Sequence, residues 1–467
     1  MGNFLSLLML AIWPAVAAVL FSRLEYRQAA IWTLLLGYLI LPPVVGIKFP
    51  MVPYLGKEAI SGICAAVGVL MLRQNAKLPW IPTEGWVKAL LGLMLLVPFV
   101  TMATNPEPLT GGLSYRPGLR LTDAINGVLY TGIEMLPFVI GYMVISSTES
   151  IRMFMRALVI ATLAYSLPML LEVRVSPQLN VWVYGFFAHD FSQSIRYGGY
   201  RPMVFLTHGL WIAMFAVMGV LAAATALREA EGPARRRALG VLIYLLAVLF
   251  MCKSVASMAY AVMLVPFILL TPTRWQMRVA GVIATLVLIY PLALYAGLVP
   301  VDAITDFIME LDEDRGHSLR FRFDNELILM EHASQKFLAG WGDWGRNLII
   351  DPYSGEYVTV ADGQWIIILS LNGILGFIAM FGLLCGSVIR IWRATAGTQV
   401  DRWTAALALI MAANLIDLIP NATLTPLTWL GAGALAGLAA RGVAHDAVAR
   451  PAMRPALSHP PFRTIIG

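Results

Sequence analysis

Charged residues are scarce in this 467-residue sequence: Asp, Glu, Lys and Arg together make up 13% of it, against 59% apolar residues. A soluble domain carries about 25% charged residues, so a water-soluble globular fold is excluded. Cysteine is nearly absent as well. Cys64, Cys252 and Cys385 all fall inside apolar runs, so neither a disulfide scaffold nor a thiolate metal site is expected. No HExxH, phosphate-binding loop or dinucleotide fingerprint occurs. The acidic run 310–314 lacks the ligand spacing of a calcium loop, and no metal or cofactor is expected. The net charge of +6 is spread along the chain, without the basic face that nucleic-acid binding needs. The first apolar run, 4–21, lacks a basic start and a small-residue cleavage site. It is read as a retained span rather than a signal peptide.

What the sequence has in abundance is long apolar runs of about 17–24 residues, enough for a helix to cross a hydrocarbon core of about 30 Å. They do not alternate as barrel strands do, so helices are expected. Thirteen spans are placed at 4–21, 29–45, 58–72, 86–103, 123–146, 152–172, 202–226, 238–252, 257–271, 279–297, 364–387, 403–419 and 425–440. The expectation is an all-α, polytopic membrane helix bundle of about 12–13 spans in one domain, 1–440. A Pro-, Ala- and Arg-rich tail, 441–467, is expected to be disordered and cytoplasmic.

Orientation follows from the basic loops. Arg23 and Arg27, Arg73 and Lys77, Arg152 and Arg156, Arg228 with Arg235–Arg237, Arg274 and Arg278, then Arg390, Arg393 and Arg402 all fall on one side. That side is assigned to the cytoplasm. Four loops then face out, at 46–57, 104–122, 173–201 and 298–363. The last is large enough for helices of its own, and 319–338 reads as an amphipathic helix with Leu327, Met330, Phe337 and Leu338 near one stripe.

The outward loops hold more cations than such loops usually do, among them Lys48, Lys57, Arg116, Arg120, Arg174, Arg196, Arg201, Arg315, Arg320, Arg322, Lys336 and Arg346. Acidic neighbours and lipid headgroups explain some. An anionic ligand explains others, because arginine offers a permanently charged fork that fits phosphate oxygens. In Arg196-Tyr197-Gly198-Gly199-Tyr200-Arg201, two arginines flank two glycines that let main chain approach a ligand. Glu134 lies within a span, where an ionisable group is costly and marks function, and Lys253 is its expected partner. His317 and His189 are loop histidines. Trp341 and Trp344 are read either as platforms for sugar rings or as interfacial anchors.

In a second segment, Ser318-Leu319-Arg320-Phe321-Arg322 precedes Gly340-Trp341-Gly342-Asp343-Trp344-Gly345. Asp362-Gly363-Gln364-Trp365 then leads into a span with Asn372-Gly373 and Gly376. This order resembles the O-antigen ligase and polymerase superfamily of bacterial envelopes. In that family an arginine opens a helix in the large outer loop, and a Gly-aromatic-Gly turn follows about eighteen positions on. A polar residue, often histidine, sits eleven positions before a Gly-x-x-Gly. Eighteen positions separate Arg322 from Gly340, and eleven separate Asp362 from Gly373. The loop with Arg196 and Arg201 fits the family's other arginine-bearing loop. Where the family's ligases carry histidine this chain has Asp362, which points away from the ligase branch and toward a polymerase.

The resemblance implies glycosyl transfer at the periplasmic face of the bacterial cytoplasmic membrane. The donor would be a glycan on undecaprenyl pyrophosphate, and the product an exopolysaccharide, capsule or O-antigen. Arg322, with Arg196, Arg201 and Arg320, would hold the pyrophosphate, and Asp362 would deprotonate or align the attacking hydroxyl. Asp362 could instead cap the helix that follows it. Inversion at the anomeric carbon and independence of metal are also implied, as are a chain-length regulator and a flippase as partners, beside the membrane lipids. The competing readings are ligase-type transfer to a lipid or other acceptor, and a polytopic transporter of an anionic amphiphile.

The basic-loop pattern predicts that reporters fused after Arg237 and after Arg441 signal cytoplasm, while one fused at Asp351 signals the outside. A cytoplasmic signal at Asp351 would reverse the orientation.

Overall fold

In the computed structural model, residues 2–48, 53–76, 78, 81–111 and 114–442 are described. Most of the tail expected to be disordered, 443–467, lies outside them. The first half holds α1 (Phe4–Arg23), α2 (Tyr26–Ile40), α3 (Lys57–Ala76), α4 (Gly85–Thr104), α5 (Leu121–Glu134), α6 (Leu136–Val144), α7 (Thr148–Val175) and α8 (Leu179–Tyr184). The second holds α9 (Gly209–Glu229), α10 (Gly232–Met251), α11 (Val255–Leu270), α12 (Thr273–Tyr295), α13 (Val301–Leu311), α14 (Glu313–Ser334), α15 (Gln364–Ala394), α16 (Arg402–Asp417) and α17 (Pro426–Arg441). Three antiparallel hairpins sit in loops: β1 (Gly46–Ile47) with β2 (Leu55–Gly56), β3 (Leu109–Gly111) with β4 (Ser114–Arg116), and β5 (Ile195–Arg196) with β6 (Gly199–Tyr200).

Among the described residues, seven helices are long and apolar enough to cross a membrane: α1, α4, the α5–α6 pair, α7, α9, α12 and α15. The protein is therefore an α-helical membrane bundle. Helix α9 is the most enclosed of the seven, with 83% of its apolar window buried. It packs against α7, α10, α11 and α16. Helices α6 and α17 make the closest pair. A Cβ on Gly433 would lie 2.0 Å from the Phe138 carbonyl oxygen, and one on Gly141 would lie 2.2 Å from that of Leu430. Only residues without a side chain allow this main-chain approach, the usual device for packing helices where lipid removes the hydrophobic drive.

The expected span 123–146 is divided at Met135, where Pro137 at the start of α6 cannot donate its N–H to the preceding turn. The expected span 202–226 becomes helical only at Gly209, because His208 caps α9 there. The expected amphipathic helix 319–338 is corrected in both extent and stripe. Helix α14 runs Glu313–Ser334, so Phe337 and Leu338 lie beyond its end and are exposed, as is Leu327. Of the expected stripe only Met330 is buried, on a face it shares with Asn325, Glu326, Leu329 and Ala333. The amphipathic element is α13, where Ile304, Phe307 and Leu311 form the exposed apolar stripe.

Basic residues assigned by sequence to one side do meet at one end of the bundle. Arg152 pairs with Glu229 at 2.5 Å, Arg402 donates to the Arg228 carbonyl at 2.9 Å, and Arg441 donates to the Met143 carbonyl at 3.0 Å. The cations treated below lie at the opposite ends of these helices.

Helix α15 is broken at Gly373, whose φ of 64° and ψ of −166° are not helical. The break frees main-chain groups within an apolar span, where each unpaired group costs several kcal/mol. The segment 337–342 fills it. Trp341 N donates to the Ser370 carbonyl and Gly342 N to that of Leu371, each at 2.9 Å. In return, Ile374 N donates to the Phe337 carbonyl at 2.8 Å and Leu375 N to that of Leu338 at 3.2 Å. The contact is close enough that a Cβ on Gly373 would lie 2.5 Å from Ala339 N, and one on Gly340 would lie 2.4 Å from the Leu371 carbonyl carbon.

Gly373→Ala is expected to lose folded protein, since it adds this clash to a positive-φ strain of about 1–3 kcal/mol. Gly240→Ala, on α10 with open space around it, should be tolerated. Size-exclusion profiles and melting temperatures of the two solubilised variants make the comparison, and equal behaviour would show that the break is pliable.

Candidate functional site

The cations of the large loops sort by what satisfies them. Arg346 is buried and spends its donors on carbonyl oxygens of Trp341, Glu107 and Pro117 at 2.9–3.1 Å. Arg116 donates to the carbonyls of Gly345 and Leu348 and stacks on Tyr357. These two arginines staple the loop 104–122 to the loop 298–363. Lys336 donates to the Thr104 carbonyl at 2.7 Å and lies over the Trp341 ring. Arg320 is held by Asp302 at 2.6 Å and Asp324 at 3.5 Å. That turns it toward α13, on the other side of α14 from Arg322.

Arg196 and Arg201 are treated differently. The β5–β6 hairpin turns through Tyr197 and Gly198, both at positive φ. Lys253, at the α10–α11 junction, reaches into this turn and donates to the carbonyls of Arg196 at 3.0 Å and Tyr197 at 3.4 Å. From the other side, the Arg315 guanidinium lies 5.4 Å from the centre of the Tyr197 ring. The two arginine-bearing loops are thus in direct contact. The expected Lys253–Glu134 pair does not form, because Lys253 is committed to this hairpin.

Arg201 is only 7% exposed. One terminal nitrogen donates to the Lys253 carbonyl at 3.2 Å, while its Nε is buried with no hydrogen-bond partner. Among the described residues no carboxylate pairs with it. Burial, and then the charge of Arg196, lower its hold on its proton. His208 lies close by, its Nδ1 accepting from Leu210 N at 3.0 Å and its Nε2 facing the Gln193 side-chain oxygen at 3.0 Å. Burial pushes the His208 imidazole down to about 4, helped by His189, Arg201, Arg196 and Arg322. Both arginine loops therefore act electrostatically on one side chain.

Arg322 lies within α14 rather than at its start. One terminal nitrogen donates to the Pro420 carbonyl at 3.1 Å and the Asn421 side chain at 3.3 Å, and its Nε is 3.4 Å from an Asp362 oxygen. The sequence placed Arg322 and Asp362 in one site, and the fold puts them side by side. The capping alternative for Asp362 does not hold: Gly363 is the N-cap of α15, and no side chain caps it. Asn421 is in turn held by Asp417, which also accepts from Thr423.

Sequence reasoning missed Glu326, one turn beyond Arg322. It accepts from Trp365 Nε1 at 3.2 Å and from the Tyr290 hydroxyl at 3.1 Å. Burial pushes its carboxyl up to about 7, against those hydrogen bonds and the pull of Arg322. The signal for it lay in the sequence as an acid four residues after Arg322, on the face that turns inward.

The remaining candidates disperse. His317 is exposed and lies 3.7 Å from Glu313. Trp341 is buried and stacked on His332 at 4.4 Å, so it offers no open face to a sugar. Trp344 is 59% exposed. Glu134 lines a separate cleft with Tyr130 and Trp429. Among the described residues no group of three or more His, Cys, Asp or Glu side chains is placed to hold a metal. Compared with known proteins, the chain matches no protein-family model and no curated protein.

The Glu326 carboxyl binds its proton more tightly folded than unfolded, so its contribution to stability is complete below about 4.5 and is lost as pH rises to about 7. The stability of the parent protein relative to Glu326→Gln is therefore expected to fall across that window and stay level above it. Melting temperatures of both proteins from pH 4.5 to 8 test this, and a constant difference would mean that the carboxyl titrates normally.

Proposed function

We propose that the protein is a membrane glycosyltransferase of the O-antigen ligase and polymerase superfamily, built as a bundle of about a dozen spans with its site at the periplasmic face. It joins glycan units carried on undecaprenyl pyrophosphate. The observation that carries this reading is Arg201, buried with a vacant Nε donor and no carboxylate partner among the described residues, beside Arg196, Lys253 and His208, the last of which also feels the charge of Arg322. A buried guanidinium left unpaired is costly. A ligand bearing several negative oxygens removes that cost, and a pyrophosphate fits a cluster fed from three separate elements.

In this reading the acceptor hydroxyl oxygen attacks the anomeric carbon of the donor sugar. The bond from that carbon to the pyrophosphate oxygen breaks, and its electron pair leaves with the lipid pyrophosphate. Arg201, Arg196 and Arg322 stabilise the charge that grows on the leaving group, the interaction that matters most in the transition state, and Lys253 holds the hairpin that carries the first two. The hydroxyl proton passes to Asp362. Donor phosphate competing for Arg322 loosens the 3.4 Å contact with Asp362 and frees that carboxylate for the acceptor. Transfer to a lipid or other final carrier uses the same chemistry.

A broken helix is also a feature of transporters, where it holds ions or substrate at mid-membrane. Here the broken ends of α15 are taken up by main chain from 337–342, which favours the enzyme.

Arg201→Ala and Arg322→Lys are each expected to abolish most polymer formation, the second because lysine keeps the charge but loses the fork. Arg320→Lys should be tolerated, since Asp302 and Asp324 accept any cation there. Asp362→Asn should slow transfer by roughly 10²–10⁴-fold, the range for a lost acid–base group, while donor binding persists. Elongation of lipid-linked oligosaccharide by purified variants in lipid bilayers is the measurement. A fully active Asp362→Asn enzyme would remove the carboxylate from the mechanism, and a fully active Arg201→Ala enzyme would remove the anion site.

A further inference from the structure

A cleft of opposite electrical character lies beside the arginine cluster. Two cavities, of about 330 Å³ and 710 Å³, share Tyr54, Tyr130 and Glu134 as common walls. They adjoin the cationic site along the chain at three places. Thr207 precedes His208, Leu424 closely follows Asn421, and Gln364 lies two positions after Asp362.

The walls combine carboxylates with aromatic rings. Glu58, Glu134, Asp123 and Asp343 supply the acids, and Trp344 and Trp429 join the two tyrosines. The one cation among the lining residues, Lys57, is spent on the carbonyls of Tyr38 at 3.0 Å and Phe205 at 3.1 Å. Glu58 and Glu134 line the smaller cavity together, and among the described residues neither forms an ion pair. The indole Nε1 of Trp429, a residue only 1% exposed that lines the same cavity, is buried without a hydrogen-bond partner. A buried donor and two unpaired acceptors thus face the same space.

Phosphate belongs nowhere in such a cleft. Sugar rings suit it: their hydroxyls donate to carboxylates, and their C–H faces lie against aromatic rings. A free amine gains more, and a uronate is repelled, because like charges set together at an interface cost several kcal/mol. We propose that this cleft is a glycan subsite that accepts neutral and amine-bearing sugars and rejects acidic ones. The proposal rests on the glycosyl-transfer reading for its role in the reaction, but its selectivity is a property of the cleft alone.

The test uses the full-length protein in lipid nanodiscs, with tryptophan fluorescence and calorimetry as readouts. The probes are three tetrasaccharides: cellotetraose, the glucosamine tetramer and the galacturonate tetramer. The glucosamine tetramer should bind most tightly, and the galacturonate tetramer at least about tenfold more weakly than cellotetraose, a difference of about 1.4 kcal/mol. Glu58→Gln with Glu134→Gln should remove most of the preference for the amine and leave cellotetraose within about threefold of its parental affinity. Galacturonate binding as tightly as cellotetraose would overturn the proposal. So would unchanged ratios in the double variant, or no binding of any tetramer. Inorganic pyrophosphate, titrated in parallel, reports on the arginines separately. Its binding should depend on Arg201 and not on Glu134, so loss of the anion site and loss of the glycan subsite give different results.

Discussion

A broken helix in an apolar span is stable only if something supplies the hydrogen bonds it has lost, and in this protein that supplier is the segment 337–342. Four main-chain bonds cross the break in α15 at Gly373, and the rest of the site follows from them. They fix the chain just after α14, and so anchor the helix that carries Arg322 and Glu326. They also fix the start of α15, with Asp362 two residues before it. The Thr101 hydroxyl and the Asn105 side chain add bonds to the carbonyls of Ala339 and Gly340 at 2.6 and 2.9 Å, which tie α4 to the same joint. Arg346, buried among carbonyls next to that joint, holds the loop 104–122 against it.

With the joint fixed, the electrostatics of the site are set by uneven pairing. Arg346 and Arg320 have found carbonyls or acids for their donors, and Arg116, although one of its terminal nitrogens lacks a partner, is spent on the carbonyls of Gly345 and Leu348. Arg201 has found neither a carboxylate nor a partner for its Nε, although it is among the most buried of them. Gly209 makes this burial possible, since a Cβ there would sit 1.9 Å from the Arg201 side chain. The protein therefore carries the desolvation cost of a cation whose charge no acid offsets. Across the adjoining cleft the imbalance has the opposite sign, with acids in excess.

Much of this was legible in the sequence. The apolar runs gave the class of fold, and the family resemblance carried by the order and spacing of Arg322, Gly340, Asp362 and Gly373 implied the pair that the fold sets side by side. Arg196 and Arg201 stood out because positive charge in such loops is unusual. The failures share one cause. Lys253 was assigned to Glu134 because both interrupt apolar stretches, yet its real partners are main-chain carbonyls of a distant hairpin. The contact of Arg322 with Asn421 spans 99 residues, and no local periodicity reports it. The stripe read over 319–338 went wrong because the buried face of α14 is partly polar: Asn325 and Glu326 turn inward to hydrogen-bond, while apolar Leu327 turns out.

The joint at Gly373 also bears on inheritance. Its bonds run from main chain to main chain, so they ask almost nothing of the residues that make them, beyond glycine where the strands touch. Leu371 and Leu338 can drift to other apolar residues while the joint persists, whereas Trp341 is held by its indole bond to the His332 carbonyl. A sequence built around such a contact can change widely and keep its architecture, provided that glycine stays where the main chains touch.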